Sequence, residues 1–292
     1  MKAIKVFLIL TLILSVSLSC DKSPTNVGYQ KEIVVVGYLW GNKPLDVDHA
    51  IMISHTKPID TKYNLDDSLI PNAVVTLKEV DNGPSYDLTE GQTQGYYYNE
   101  NVLIKPGTTY YIRIETDEKV VTASTTVPYE LGISTELRIG AIDTVEHDNL
   151  SRRKPVFITC DNPEQILVVD MYCNEPWQNA YYINPFFNQD KVKEEDEYGG
   201  RDGNAEPRHI VAAARFKDFI SDTYPGQNVI DWYSSMIVFY GNNTMQIMNI
   251  DDNYYNYINQ QEYPEFKSGI NGGIGVFGSM CGETFRLFVK KN

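Results

Sequence analysis

The glycine-rich segment Gly273–Gly278 (GIGVFG) has the spacing G-x-G-x-x-G, which in dinucleotide-binding proteins cradles a pyrophosphate. That chemistry requires a strand before the glycines and a helix after them, so that the phosphates meet the helix N-terminus. Here the residues that follow alternate like a strand, with Phe285, Leu287 and Val289 on one face. We therefore expect a glycine-rich turn or bulge in a terminal β-segment, and no nucleotide cofactor.

A serine and a cysteine lie among the same glycines, in Gly278–Gly282 (GSMCG). A nucleophile elbow places serine at the centre of G-x-S-x-G, but Met280 occupies that position here. Cys281 would act as a nucleophile only beside a base, and the four histidines show no pairing pattern with it. The sequence therefore predicts a structural or inert cysteine and no catalytic residue.

Carboxylates are concentrated in a long polar stretch, residues 188–207, which contains Glu194–Glu197 (EEDE) and Asp202–Asn204 (DGN). Calcium requires about six to eight oxygen ligands in a closed loop, and this run lacks the spacing of an EF-hand loop. We expect a solvated acidic loop and no metal site, with a loosely bound cation as the alternative. A structureless stretch of this length in a compact domain is either functional or mobile.

The chain has 21 tyrosines against 11 phenylalanines. Tyrosine combines a large apolar area with a polar tip, so it is favoured on wet binding surfaces that contact sugars or protein partners. The aromatic residues beside the acidic loop form the candidate surface for a glycan, peptide or protein partner: Trp177, Tyr181, Tyr182, Phe186 and Phe187. The alternative is that these rings pack across strands inside the fold.

The composition restricts the classes of partner. The 292 residues carry 25 Lys+Arg against 39 Asp+Glu, which gives a net charge of −14. Nucleic-acid binding requires a clustered basic face, and the sequence contains none, so nucleic acid and anionic lipid are disfavoured as electrostatic partners. With 42% hydrophobic and 22% charged residues, the chain is ordinary globular material, long enough for one large domain or two smaller ones.

The N-terminus has the pattern of a lipoprotein signal peptide, residues 1–19. Two lysines precede an apolar stretch, Val6–Leu18, that is too short to span a bilayer. Cys20 follows a small residue, which predicts cleavage before Cys20 and attachment of a diacylglyceryl group to its thiol. Acyl chains would then anchor the protein to a membrane through a polar tether, residues 20–31. The alternative is a secreted protein with a chance cysteine.

The other three cysteines can form at most one disulfide. Cys160 and Cys173 flank an apparent hairpin turn, and in that register Cys173 lies roughly 23 Å beyond the position opposite Cys160. A disulfide allows only about 4.4–6.8 Å between Cα atoms, so this pair is disfavoured. A pairing of Cys281 with either of them stays open, and no Cys/His spacing indicates a zinc site.

Residues 32–128 contain about seven predicted strands separated by turn signals. The first, Glu32–Trp40 (EIVVVGYLW), is a nearly continuous apolar run, as expected of a strand buried on both sides. In Tyr110–Glu115 the apolar residues alternate with charged ones, which predicts a half-buried strand. About seven short strands over about 100 residues is the count of an immunoglobulin-like β-sandwich.

Residues 129–292 predict a second β-rich domain with a short helix and the long acidic loop. His209–Phe219 (HIVAAARFKDF) is ambiguous between strand and helix, and we favour a strand. Asp251–Glu262 is the clearest helix, with Asp251 as its cap and Pro264 at its end. The fold class is therefore mostly β. The predicted strands are Pro155–Cys160, Ile166–Tyr172, His209–Phe216, Ser235–Tyr240, Thr244–Ile250 and Thr284–Lys290.

Short motifs occur in a fixed order after the signal peptide and its cysteine. They are VVVGY in the first strand, Pro71–Leu77 (PNAVVTL), Gly95–Tyr97 (GYY), Ala123–Pro128 (ASTTVP), Tyr254–Tyr257 (YYNY) and Asn271–Gly278 (NGGIGVFG). Together they resemble a large family of Bacteroidota outer-membrane lipoproteins with a domain of unknown function, whose genes often lie near TonB-dependent receptors. Near the late helix the chain departs from the family, since Tyr263–Phe266 (YPEF) stands where members usually carry Asn-Pro-Phe.

The resemblance implies an outer-membrane lipoprotein that can have a TonB-dependent receptor as its partner. It implies no catalytic residue, because the family has no established activity. We expect a protein that acts by binding, as an accessory to a TonB-dependent transporter that contacts the receptor, its nutrient, or both. A structural or adhesive cell-surface module is the alternative, and a hydrolase of surface polymers ranks below both.

Overall fold

The structure of the protein is a computed structural model. It describes residues 29–59, 61–62, 64–80, 83–146, 154–183, 191–193, 195–198, 208–218, 224–231, 233–259 and 267–291. The predicted signal peptide and Cys20 lie outside these residues, as do Phe186, Phe187 and most of the acidic loop. Within them, no helix combines the length and the apolar composition that crossing a bilayer requires.

The described residues of the first part of the chain form eight strands, with a long connection between the third and the fourth. The strands are β1 (Ile33–Trp40), β2 (Pro44–Leu45), β3 (Ile51–His55), β4 (Val74–Glu79), β5 (Ser85–Glu90), β6 (Tyr96–Leu103), β7 (Thr109–Glu115) and β8 (Val120–Thr126). Single 3-10 turns lie at Val47–His49 and Asp66–Ser68. All seven strands predicted here are present.

The second part adds shorter strands, two helices and one very long final strand. The strands are β9 (Gly132–Thr135), β10 (Ile142–Glu146), β11 (Val156–Thr159), β12 (Ile166–Cys173), β13 (His209–Arg215), β14 (Asn228–Ile230), β15 (Gly241–Ile250), β16 (Lys267–Ser268), β17 (Ile270–Asn271) and β18 (Ile274–Lys290). The helices are α1 (Glu195–Tyr198) and α2 (Asp252–Asn259), and 3-10 turns lie at Trp177–Asn179, Phe216–Asp218 and Tyr233–Met236.

The described strands form one large curled sheet and one small sheet. The order in the large sheet is β13-β12-β15-β18-β1-β3-β6-β5-β4-β7-β8-β17, with β10 and β16 also paired to β18 and β2 paired to β6. The small sheet has the order β14-β11-β9. The predicted fold class, mostly β with a short helix, is confirmed, whereas the immunoglobulin-like arrangement of the first part stays a prediction.

Alternation of apolar and polar residues builds the core of the first part. In β7, Tyr110, Ile112 and Ile114 are fully buried and the residues between them are exposed, as the sequence predicts. β1 is less enclosed than its apolar run suggests, because one face is buried and the other is only half-buried. Aromatic and β-branched side chains on the inner faces of these strands form a single hydrophobic cluster.

Strand β18 belongs to both parts of the molecule. Its first residues pair in parallel with β1, from Ile274 opposite Val34 to Met280 opposite Trp40. From Met280 onwards it pairs antiparallel with β15, ending with Val289 opposite Gly241. The boundary predicted at residue 128 stays a prediction, but the core of the first part is completed by residues from the end of the chain.

Three sequence expectations in the second part have a definite outcome. His209–Arg215 is a strand, as favoured, because one face of β13 packs on the core while the other is exposed. The helix after Asp251 is confirmed as α2, and the Asp251 carboxylate accepts a hydrogen bond from the Tyr254 N–H at 3.0 Å. The predicted strand at Ser235–Tyr240 is wrong, since the segment begins in a 3-10 turn and pairs only through an isolated bridge at Phe239. Its apolar residues are buried, and burial alone does not distinguish a strand from an irregular buried segment.

The glycine-rich segment and the cysteines serve the fold. Gly275 has φ +109°, and a Cβ on it would lie 2.1 Å from the carbonyl oxygen of Val35, so only glycine allows β18 to approach β1 here. The segment is part of a terminal strand, as expected. Cys160, Cys173 and Cys281 are all free thiols, which resolves the pairing that the sequence left open.

Candidate functional site

The residues of the predicted aromatic surface differ in their exposure to solvent. Tyr182 is only 4% exposed, and its ring packs against that of Phe239 with the centroids 4.9 Å apart. Trp177 is partly buried against the same small cluster. Tyr181 is exposed at its edge, with the Lys291 ammonium 4.6 Å from its ring centroid. Phe186 and Phe187 lie outside the described residues.

The described part of the acidic loop has two buried residues, while Lys191, Lys193 and Glu195 are exposed. Val192 and Tyr198 are buried, and the Tyr198 hydroxyl donates to the carbonyl oxygen of Glu175 at 2.6 Å. Burial raises the pKa of this tyrosine, so its hydroxyl remains a donor. The rings of Tyr182 and Tyr198 therefore contribute packing, and that of Trp177 does so in part. Packing inside the fold is the alternative that the sequence analysis left open for such rings.

A larger recess lies at the junction of the two parts of the molecule. We call it the junction cleft, and its volume is about 660 Å³. It is lined by the end of β8 and the segment that follows, by the turn between β11 and β12, and by the end of β15 with the start of α2. The lining residues that bear on its chemistry are Thr125, Tyr129, Glu130, Cys160, Asp161, Glu164, Asn249, Asp251 and Asp252.

A buried hydrogen-bond network fixes the base of α2 against the first part. The Thr125 hydroxyl donates to Oδ2 of Asp251 at 2.6 Å, and the N–H groups of Ser279 and Tyr254 donate to Oδ1 at 3.0 Å. The Ser279 hydroxyl donates to the carbonyl oxygen of Thr126 at 3.0 Å. This network joins β8, β18 and α2, the three elements that meet at the cleft.

Burial raises the pKa of Asp251, while the hydrogen bonds from Thr125, Ser279 and Tyr254 oppose that rise. The carboxylate accepts hydrogen bonds from donors inside the protein, and no histidine is among the described residues that line the cleft. Asp251 therefore acts as a helix cap and an anchor between strands. The arrangement contains neither a paired base for Ser279 nor an open path to its hydroxyl, which is fully buried.

Asn249 occupies an unusual position at the wall of the cleft. Its side chain is 1% exposed, and its Nδ2 donates to the carbonyl oxygen of Tyr129 at 3.2 Å. Its Oδ1 is buried and accepts no hydrogen bond from any described group. A buried amide oxygen without a donor costs about 1–3 kcal/mol, so the fold retains an unfavourable group beside an open recess.

The rim of the cleft carries an exposed aromatic ring. Tyr129 is 76% exposed, and its ring lies on the turn at Gly107, where a Cβ would come within 2.5 Å of it. Gly107 has φ +73°, a conformation that favours glycine for a second reason. One face of the ring is thus supported by backbone and the remainder is available to solvent or to a ligand.

The charge of the cleft has one sign. Asp161 and Asp252 form no ion pair with a described residue, while Glu164 is held by the ammonium of Lys217 at 2.6 Å and by the guanidinium of Arg215. These cations lower the pKa of Glu164. Among the described residues that line the cleft none is Lys, Arg or His. Within the described chain no three metal-binding side chains converge, so the carboxylates are too dispersed to enclose a metal ion.

Cys160 is the one described thiol with access to the cleft. It is half-buried and donates to the carbonyl oxygen of Asn162 at 3.3 Å. Cys173 and Cys281 are buried in cores, and burial raises the pKa of Cys281 to about 11. A thiol with a pKa this high is a poor nucleophile at neutral pH.

Sequence reasoning did not find this cleft. Its members come from several separated segments, and the one motif among them, Ala123–Pro128, was noted for the family resemblance and not for a site. Asp251 was identified only as a helix cap, and Tyr129 and Asn249 carried no pattern of their own. An exposed aromatic directly after the Val127-Pro128 ending of a strand run is the single signal that the sequence offered.

Comparison with protein families gives a match that covers most of the chain. The model of a domain of unknown function (DUF4249) matches residues 22–284. No curated protein matches. Among solved structures, a tetra-tandem repeat in the extending region of a large adhesion protein is 10% identical with a TM-score of 0.22, over 87% of this chain and 49% of that one, so this chain spans about half its length. Domains 4 and 5 of the S-layer protein SbsC are 10% identical with a TM-score of 0.21, over 89% and 98%.

Proposed function

Because the chain belongs to the DUF4249 family of domains of unknown function, we propose a function that is consistent with its site rather than one copied from a relative. The protein acts by binding and not by catalysis, as a lipoprotein anchored to the outer membrane through Cys20. It serves as an accessory to a TonB-dependent transporter. The observation that carries the proposal is the junction cleft, an open recess between two packed parts of the molecule.

The dimensions and position of the cleft support binding. Ligand sites in proteins commonly have volumes of about 300–1,000 Å³ and lie preferentially where domains meet. At about 660 Å³ the cleft is of that size, and both parts of the chain contribute to its walls. A ligand in this recess would therefore contact both parts of the chain at once.

The chemistry of the lining also favours binding over hydrolysis. Nucleophilic catalysis requires a hydroxyl or thiol beside a base, within about 2.6–3.2 Å. The Thr125 hydroxyl lies at that distance from the Asp251 carboxylate but is buried, and the Cys160 thiol donates to a backbone carbonyl rather than to a base. The polar groups of the cleft are therefore suited to holding a ligand in a fixed orientation.

The proposed anchor is tested separately from the proposed partner. Cys20→Ala is expected to release the protein from the membrane fraction, because the acyl chains supply the attachment. Cys160→Ala is the matched control, since it removes a thiol from the folded body and leaves the anchor intact. Membrane association of Cys20→Ala equal to that of the control would contradict lipid anchoring.

The partner is tested by purifying the tagged, lipidated protein in mild detergent and identifying its companions by mass spectrometry. We expect a TonB-dependent receptor in stoichiometric amount. Repeated recovery without a transporter would count against the accessory role and would favour a stand-alone binder or a structural or adhesive surface module. Conversion of a substrate in a panel of glycans and peptides would instead favour the hydrolase.

A further inference from the structure

We propose that the junction cleft recognises a positively charged nitrogen donor, an ammonium or guanidinium group such as a lysine or arginine side chain of a peptide. This inference rests on the proposed binding function and adds the chemical class of the ligand. Three independent features of the cleft support it, and they concern hydrogen bonding, charge and ring contact.

The first feature is the acceptor that lacks a donor. Oδ1 of Asn249 is buried and unpartnered, and the residue lines the cleft. The other side of the amide is fixed, because Nδ2 donates to the carbonyl oxygen of Tyr129. An incoming N–H group would supply the missing hydrogen bond, and bonds between a charged donor and a neutral acceptor are stronger than those between neutral groups.

The second feature is uncompensated negative charge. Asp161 and Asp252 both line the cleft and form no ion pair with a described residue. No described cation lines the cleft beside them, and the chain as a whole has a net charge of −14. An anionic ligand would be repelled, whereas a cation gains attraction from two carboxylates.

The third feature is the open ring of Tyr129 at the rim. Ammonium and guanidinium groups are attracted to the face of an aromatic ring when they lie within about 6 Å of its centroid. The ring already rests on Gly107 on one side, so a ligand can stack without displacing another side chain. The protein uses the same contact elsewhere, with Lys291 over Tyr181 and Arg208 over Tyr172.

An organic cation fits these features better than a metal ion does. Within the described residues no three His, Cys, Asp or Glu side chains are close enough to hold a metal. The acceptors are instead spread over a recess of about 660 Å³, which accommodates a side chain together with the peptide groups that flank it.

Cys160 provides a direct readout of occupancy. The full-length, lipidated protein in mild detergent is treated with N-ethylmaleimide, and the labelled cysteine is identified by peptide mass spectrometry. Cys160 is expected to react, whereas Cys173 and Cys281 are buried and report unfolding if they become labelled. A ligand in the cleft should slow the alkylation of Cys160 alone.

The probes are Nα-acetyl-lysine methylamide and the same compound acetylated on its ε-nitrogen. We expect the charged probe to slow alkylation of Cys160 and the acetylated probe to have no effect. High salt should weaken the protection, since screening shortens the Debye length to about 3 Å at 1 M. Equal protection by both probes, or protection by neither, overturns the proposal.

A third probe, n-pentylammonium, distinguishes the source of the cation. Protection equal to that of the lysine probe shows that the cleft reads the amine alone. Protection by the lysine probe only shows that the flanking peptide groups are recognised as well. Both results support a cationic ligand and differ in which molecule supplies it.

Substitutions in the cleft test the contributing groups. Asn249→Leu removes the unpartnered acceptor and should lower the affinity for the lysine probe about tenfold. Asn243→Leu is its control, because Asn243 is also a buried asparagine of β15 but donates to the carbonyl oxygens of Phe239 and Gly241. Asp161→Asn removes one of the two carboxylates that form no ion pair and should also weaken binding of the lysine probe. Asp161 is exposed, so the substitution should leave folding intact. Glu100→Gln is the charge control outside the cleft. An unchanged affinity in Asn249→Leu and Asp161→Asn overturns the proposal.

This test fails independently of the proposed function. A receptor that co-purifies with the protein while no cation protects Cys160 would overturn the ligand class and leave the accessory role intact. Protection by the charged probe without any receptor would support the ligand class and count against the accessory role.

Discussion

The two halves of the final strand lie in different surroundings. From Gly275 to Cys281 every residue of β18 is buried, because this half lies beside β1 and is covered on both faces. From Phe285 to Val289 buried and exposed residues alternate, because this half pairs with β15 and has one face open to solvent. A single strand therefore follows two burial patterns, and the change occurs where the two parts of the molecule meet.

The comparison shows how the two parts are joined. The junction combines apolar packing, in which Tyr38 and Trp40 of β1 lie against a cluster that includes Met280, with hydrogen bonds that link Thr125, Asp251 and Ser279. Apolar contact is tolerant of small displacements, while a buried polar network has a defined geometry. The strand supplies the connection, and the polar network fixes its orientation next to the cleft.

The largest expected effect comes from the buried phenylalanine in each half. Phe277→Ala and Phe285→Ala should each lower the free energy of unfolding by about 3–5 kcal/mol, since both rings are fully buried. If β18 couples the parts, both variants shift one unfolding transition, measured by far-UV circular dichroism and tryptophan fluorescence in urea. Two separate unfolding transitions, each shifted by only one of the variants, would contradict the coupling of the two parts through β18.

Gly275→Ala should have the next largest effect. It should lower the free energy of unfolding by more than about 1–2 kcal/mol, because alanine disfavours the left-handed backbone at this position. The added Cβ would also lie 2.1 Å from the carbonyl oxygen of Val35 and would force β18 away from β1. Gly226→Ala is the matched control, because Gly226 has φ +78° with no atom within 4 Å of its added Cβ. Equal melting temperatures for the two variants would show that the β1–β18 contact is looser than described.

Thr125→Val tests the hydrogen-bond network at the base of α2. It should lower the free energy of unfolding by about 1–3 kcal/mol, because it removes the hydroxyl that donates to Oδ2 of Asp251. Burial raises the pKa of Asp251, so the stability contributed by its protonated form is fully present below the unfolded pKa and is lost as pH rises through the folded pKa. The variant should raise that pKa further.

Thr125→Val should therefore be more damaging at pH 7 than near pH 4, as measured by urea unfolding at both values. The control is Thr109→Val, whose hydroxyl pairs with that of Thr126 on the exposed surface. A loss that does not depend on pH would mean that Thr125 contributes packing and not a hydrogen bond to a charged group.

Phe288→Thr should have the smallest effect and change the free energy of unfolding by less than about 0.5 kcal/mol. Phe288 lies on the open face of the second half of β18 and is 39% exposed, and threonine retains the preference for a strand. A loss comparable to that of Phe285→Ala would show that this face is covered in the assembled protein, and would direct attention to a partner surface there.

Several elements were predictable because their causes are local in sequence. β7 alternates residue by residue, and α2 begins with an aspartate whose carboxylate caps the helix. Ser235–Tyr240 was misassigned because its apolar residues are buried without a ladder. Tyr182 was predicted on a binding surface, but it is buried, because the sequence does not show that the segment packs against Phe239.

The sequence by itself determined the mostly β class, the negative charge and the positions of most strands. These follow from composition, short periodicities and nearest neighbours along the chain. Only the tertiary structure decided that β18 joins both parts and that Tyr129, Asn249 and Asp161 share one cleft. Such a site depends on contacts between residues far apart in the chain, and periodicity within a segment carries no information about which distant segment it will meet.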